Sequence, residues 1–245
     1  MRNRTARSFV FSKIVLICFV IVFLSGCATF FHVSVDSISS PEAESKKRYI
    51  LLPGLKNMEP TDLQFKEYAA YVERALTSRG FVKANNLEDA NIAIFLVYGI
   101  GNPQENIYSY SLPVWGQTGA SSSSTFGTIN TFGNTATYSG TTTYTPKYGI
   151  TGFMPIVGSY VTYFRYLVLD AVDIDQYKQT QKIVQLWQTT VTSTGRSGDF
   201  RLVFPILVAA SKPYMGTNTG KKVEIRLTED DQRVVEIKGI SEQRK

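Results

Sequence analysis

Apolar residues recur along this chain with two different periods, and each change of period marks an element. Phe31, Val33 and Val35 alternate with His32, Ser34 and Asp36, which predicts a short strand. Ser39 to Lys47 is polar and holds Pro41, so it reads as a loop or tether. Arg48 to Leu52 is a second strand, stopped by Pro53-Gly54. The period then lengthens. Phe65, Tyr68, Ala69, Val72, Ala75 and Leu76 recur at helical spacing, with Lys66, Glu67, Glu73 and Arg74 off that stripe. Thr61 and Gln64 fit a capping box at the start of this helix. Gly80 fits the left-handed residue that ends it, with Phe81 folding back.

Asn91 to Tyr98 is a continuous apolar run, which suits a strand covered on both faces. Tyr160 to Val172 is a long aromatic and β-branched strand, Asp173 to Gln181 a polar turn, and Lys182 to Thr194 the hairpin partner. On that partner Ile183, Gln185, Trp187, Thr189 and Val191 share one face. Ser197 to Asp199 can cap a second helix through Phe200, Val203, Phe204 and Leu207, with Pro205 kinking it or moving its start. Val223, Ile225 and Leu227 alternate in a last strand, and residues from Ile240, 241–245 above all, form a polar tail. This order predicts an α+β fold: a mixed, mostly antiparallel sheet with two helices packed on one face. Residues 27–47 read as a first strand and tether ahead of one domain at 48–240.

One stretch inside that domain is written differently. Residues 108–152 are rich in Ser, Thr, Gly and Tyr, and Lys147 is their only lysine, arginine or acid. Phe126, Phe132, Tyr138 and Tyr144 lie six residues apart. Six is even, so an uninterrupted strand would place all four on one face, with Gly127, Thr131, Thr135 and Thr141 on the other. Gly133-Asn134 is a plausible reversal point. A flexible linker has similar composition. The regular aromatics favour an extended β-arm that binds a partner.

The N-terminus concerns location. Arg2, Arg4, Arg7 and Lys13 precede an apolar run from Ile14 to Leu24. A basic start, a short apolar core and small residues after it define a secretory signal. The run is shorter than the ~18 residues of a membrane-spanning helix. Leu24-Ser25-Gly26-Cys27 resembles the lipobox of bacterial lipoproteins. The resemblance implies cleavage between Gly26 and Cys27, a diacylglyceryl group on the Cys27 thiol, and acylation of the new amine. Ala28 rather than aspartate after the cysteine implies the outer membrane, with the domain facing the periplasm. Removing residues 1–26 from the 245 would leave 219, enough for one sizeable core.

Charge and cysteine content narrow the remaining chemistry. The formal net charge is +6, and four of those charges belong to residues 1–26, so the remainder carries about +2 and no nucleic-acid footprint. Cys18 and Cys27 are the two cysteines, so no disulfide is expected in the mature domain.

The remaining sequence also resembles an uncharacterised family of bacterial lipoproteins. The residues that carry this are Ala75–Phe81, Asp89–Leu96, Pro113–Gly119, Thr145–Gly149, Val184–Trp187 and Phe204–Tyr214. The family implies a sheet with two helices and a lipid anchor, and it implies no catalytic residues.

Sites of other chemistry are poorly supported. Gly216 to Lys222 has phosphate-loop character, but its spacing is one residue short and it leads into a strand. Gly99 to Gln104 lacks a third glycine. Asp170, Asp173 and Asp175 lack the glycine and distal glutamate of a calcium loop. His32, the single histidine, lies on the tether. No cofactor and no metal are expected. The expected role is non-enzymatic: a structural or assembly role in the envelope through protein contacts or self-association. The alternative is a ligand-binding lipoprotein for glycan, peptidoglycan or lipid; a carboxylate hydrolase ranks last. Cys27→Ser should abolish metabolic palmitate labelling and leave uncleaved precursor, since the thioether needs the thiol. Normal labelling of that variant would refute lipidation at this position.

Overall fold

The computed structural model describes residues 29–56, 58–132 and 135–239. The lipobox, Cys27, Gly133-Asn134 and the tail from Ile240 lie outside them. The opening alternation becomes β1 (Phe31–Ser39), with Val33, Val35 and Ser37 fully buried. It pairs antiparallel with β7 (Gln185–Gly195) on one side and β8 (Val223–Leu227) on the other. β1 is therefore an internal strand of the sheet rather than a lead-in. The residues after it form a 3-10 turn, Pro41–Ser45, which buries Ala43.

β2 (Arg48–Pro53) enters helix α1 (Leu63–Ser78), and β4 (Ile92–Ile100) returns parallel to β2. Parallel neighbours require such a crossover. The helix begins at an Asp62 N-cap that accepts no capping bond, so the expected Thr61–Gln64 box does not form. The Thr61 hydroxyl donates instead to Glu59. The C-terminus follows the sequence closely. Gly80 has φ +81°, its N–H donates to the Thr77 carbonyl and the Phe81 N–H to that of Leu76, closing a Schellman motif over buried Phe81. The two-residue strand β3 (Val82–Lys83) follows, parallel to β2.

β5 (Gln104–Phe132) and β6 (Thr135–Asp173) are far longer than the elements expected there. The expected strand at 160–172 is the end of β6. The expected polar turn is a helix, α2 (Ile174–Thr180), whose first turn is capped where the Gln176 N–H donates to Asp173 Oδ1 at 3.0 Å. β7 starts at Gln185, so Ile183 lies outside it and is 76% exposed. Gln185 is also exposed, while Trp187, Thr189 and Val191 are buried. The register shifts between Ala171 and Val172, opposite the start of β7. α3 (Phe200–Ser211) is capped by Asp199, and Pro205 sits inside it. Helix α4 (Gln232–Lys238) ends the described chain and buries Val234 and Ile237.

The eight strands form one mixed, mostly antiparallel sheet, ordered β3-β2-β4-β6-β7-β1-β8, with β5 paired to β6 off this path. With four helices this is an α+β fold. Alternate strand residues, among them Tyr49, Ile92, Ile94, Leu96, Leu167 and Leu169, share one core with side chains of α1, α3 and α4. Its centre is aromatic: Tyr68 stacks on Phe204 at 4.1 Å and meets Tyr98 edge-on at 4.8 Å. Ala93 and Ile174 belong to a smaller second cluster with Ile50, Leu52, Phe95 and Val172. The chain divides into two compact units, residues up to Pro103 together with those from Thr162, and Gln104–Val161.

Val72 is fully buried, whereas Glu73 pairs with exposed Lys83. Val72→Asp should cost at least ~3 kcal/mol by burying an unpaired charge, and Glu73→Ala at most ~1 kcal/mol. Equal melting temperatures for the two variants would show that α1 buries a different face.

Candidate functional site

The unit Gln104–Val161 is an antiparallel hairpin. The Thr125 and Thr142 hydroxyls lie 2.9 Å apart, and the Ser121 hydroxyl donates to the Thr145 carbonyl. Further from the tip, a Cβ on Gly149 would meet Thr118 at 3.2 Å, and one on Gly116 would meet Thr151 at 2.9 Å. Each step back along β5 is matched by a step forward along β6.

Phe126, Phe132, Tyr138 and Tyr144 are all exposed, from 60% to 93%. They do not share a face. The Tyr138 ring lies over Gly127 and Gly140: a Cβ built on Gly127 would come within 2.6 Å of it. Phe126 neighbours Gly127 and so points to the opposite side. The pair Phe126 and Phe132 therefore occupies one face, and Tyr138 and Tyr144 the other. The six-residue step preserves a face only within one strand, and the chain reverses between Phe132 and Thr135. On the Phe126 face β6 presents Thr135, Thr137, Ser139, Thr141, Thr143 and Thr145 in unbroken alternation.

Nearer the start of β5 the pattern changes. Tyr108, Tyr110, Leu112 and Val114 alternate with Ser109, Ser111 and Pro113. The Tyr108 ring lies over Gly158, stacks on Tyr110 at 6.3 Å and sits 6.1 Å from Tyr160. All four apolar positions are at least 43% exposed, and so are Ile107, Trp115, Phe153 and Val157. From Asn106 to Phe164 the single charged residue is Lys147. The hairpin thus extends beyond residues 108–152 at both ends. The sequence signal for its apolar part was the Tyr108–Val114 alternation, which the Ser/Thr/Tyr composition concealed.

The other unit carries an apolar cleft of about 490 Å³, lined by Leu52, Phe95, Val172, Ile174, Tyr177 and Ile183 among others. Asp173 anchors its wall. Lys46 Nζ donates to Asp173 at 2.7 Å and to Asp175 at 3.0 Å. Burial pushes the Asp173 carboxyl up, but the bonds from Lys46 and the Gln176 amide outweigh it and hold it below its ordinary value. Burial pulls Lys46 down, and the two carboxylates outweigh that and raise it. Lys178 Nζ donates to the Leu87 and Glu88 carbonyls beside the cleft, both at 3.2 Å.

The three aspartates do not converge. Asp170 accepts from Gln185 Nε2 at 2.6 Å, away from the Lys46 pair. Among the described residues no three His, Cys, Asp or Glu side chains are grouped to hold a metal ion. His32 lies on β1 opposite Arg226 of β8, in the sheet rather than on a tether. Thr219, in the loop with phosphate-loop character, exchanges hydrogen bonds with the Ser37 backbone, so that loop is pinned to the end of β1. Among the described residues no helix is long and apolar enough to cross a membrane, which leaves strands undecided.

No family model matches the chain, and no curated protein does. Among solved structures it is similar to a PDZ domain protein from Parabacteroides distasonis, at 11% identity and a TM-score of 0.34 over 82% of this chain and 40% of that one. It is also similar to the lysenin pore, at 7% identity and a TM-score of 0.11 over 81% of this chain and 48% of that one. The chain thus spans less than half the length of either, and likenesses this slight carry no argument.

Asp173 yields a pH signature. A depressed carboxyl stabilises the fold above its unfolded value of ~3.9, and that contribution is lost as pH falls through the folded value. Asp173→Asn, which can still cap α2, should cost ~1–2 kcal/mol near neutral pH, and the gap should close as pH falls through the folded value of Asp173. A stability gap that stays constant across that range would refute the charge-based account.

Proposed function

We propose that the protein is a lipid-anchored outer-membrane protein of the bacterial envelope that works by protein contact, without catalysis, through the hairpin Gln104–Val161. The observation that carries this reading is the hairpin's pairing. Among the described residues β5 pairs with β6 alone, and the sheet pairings of β6 with β4 and β7 begin only at Tyr163. Each strand of the ribbon therefore has an edge of unpaired N–H and C=O groups. Soluble proteins guard such edges with charges, prolines or short strands. Here Glu105, Pro113, Pro146, Pro155 and Lys147 are the guards over two strands of unusual length. A bare edge is how one chain adds strands to another, with backbone bonds giving affinity and alternate side chains giving specificity. The lipid anchor rests on Leu24-Ser25-Gly26-Cys27 and on Ala28. The family resemblance, the two-helix layer and the Ser/Thr/Tyr-rich arm belong to the same reading.

A second reading is favoured by the cleft between β2, β4, β6 and α2, whose walls suit an apolar ligand such as an acyl chain. Deleting Gln117 to Lys147 and closing with a short Gly-Ser linker separates the two. The partner-contact reading expects a protein whose remaining domain still unfolds in one cooperative thermal transition, with loss of its crosslinks in intact envelopes. Crosslinks that survive the deletion would refute it and leave the cleft as the working site.

A further inference from the structure

We infer that the hairpin is a membrane-spanning element: copies of this chain pair their hairpins edge to edge and close a β-barrel through the lipid bilayer. This rests on the partner-contact reading and names the partner as the chain itself.

The first observation is where charge is missing. From Asn106 to Phe164 only Lys147 is charged, and the gap covers both the apolar part of the hairpin and its Ser/Thr tip. A ribbon that binds another soluble sheet has no reason to exclude charge from its exposed tip. A hairpin whose tip must pass through hydrocarbon has one, because each charge carried across is costly. Serine, threonine, glycine and tyrosine are tolerated in both water and membrane.

The second observation is the alternation at the start of β5. Tyr108, Tyr110, Leu112 and Val114 form an apolar row, and Ser109 and Ser111 a small polar one. Outward apolar and inward polar residues in period two are the pattern of a barrel strand in lipid. The alternation is weaker on β6, where Val157 and Val161 fall out of step with Met154 and Ile156. The apolar part runs from Ile107 to about Thr118, ~12 residues or ~40 Å of strand. Tilted by ~45°, that covers ~28 Å, close to the ~30 Å of a hydrocarbon core. Tyr108, Tyr110 and Tyr160 gather at one end, as aromatic residues do at the rim of such barrels. Trp115, towards the other end, shares the row of Ser109 and Ser111 rather than the lipid-facing one.

The third observation settles the occupant of the edges. In lipid no water satisfies an unpaired backbone, so a two-stranded ribbon cannot span alone and only closure removes its edges. Two strands per copy require at least about four copies to reach the ~8 strands of the smallest barrels. The chain's own position is suitable. Three residues separate Cys27 from Phe31 of β1, so an anchor on Cys27 holds that strand within ~15 Å of the bilayer.

The test uses the full lipidated chain purified in detergent and mixed with dye-loaded vesicles of phosphatidylethanolamine and phosphatidylglycerol. The wild type should release the dye and should run as four or more copies by native mass spectrometry. Leu112→Arg places a charge in the lipid-facing row near mid-bilayer and should cut release at least about thirtyfold. Ser111→Arg places the same charge in the polar row; it should retain release and shift the pore toward anions in single-channel recordings. Equal effects of the two arginines would overturn the barrel. A monomeric wild type that releases no dye also overturns it, and hairpin crosslinking then decides the parent reading. A different envelope protein captured by the wild-type hairpin in intact cells would leave partner contact standing; a wild-type hairpin that forms no crosslink would remove both.

Discussion

A strand inside a sheet satisfies its backbone on both sides, whereas a strand in a two-stranded ribbon does so on one. The two units of this protein meet that constraint in opposite ways. In the first, the sheet ends in β3, two residues long, and β8, five residues long, so little edge remains. In the second, β5 alone runs for 29 residues with one neighbour. The same chain that keeps its sheet edges short in one unit leaves them long in the other. The proposed role of the hairpin rests on that contrast more than on any single side chain.

β6 carries the transition within one continuous strand. From Arg165 to Asp173 it alternates buried and half-buried residues between β4 and β7. Arg165 is almost wholly buried and donates to the Ser197 carbonyl at 3.1 Å and the Ser193 hydroxyl at 3.0 Å. Burial pulls its pKa down, and a Cβ on Gly195 would crowd the guanidinium, meeting Nη2 at 2.6 Å. Before Arg165 no described residue of the same strand is buried. Its residues change accordingly, from Leu and Ala to Ser, Thr, Gly and Tyr. A strand follows its hydrogen-bond partners, but its side chains follow the solvent they face.

The sequence was legible where local chemistry and long periods agree. The Phe65–Leu76 stripe, the Gly80-Phe81 stop and the Asp199 cap all reappear as drawn, because each is decided within a few residues. Helices α2 and α4 were missed because seven residues are too few to show a period, and α2 owes its place to Asp173 and a lysine 127 positions away. Ile183 looked like a core residue because the bulge at Ala171/Val172 and the late start of β7 are invisible to alternation. In the hairpin, the charge gap and the exposed aromatics could be read directly. Which face each aromatic occupies could not, since that depends on the parity of a turn.

A ribbon without a core must hold its two strands together by other means. What packing it has comes from rings lying over glycines: Tyr138 across Gly127 and Gly140, Tyr108 across Gly158. An aromatic that covers a glycine on the neighbouring strand shields backbone that would otherwise be open and supplies the contact the glycine lacks. It also leaves the strand edges untouched, because it acts on the face and not on the hydrogen-bonding direction. Lysine or glutamate on these positions would solubilise the ribbon more strongly, but would forbid its entry into an apolar environment. For the proposed barrel, the Ser/Thr/Gly/Tyr composition is a compromise between two solvents.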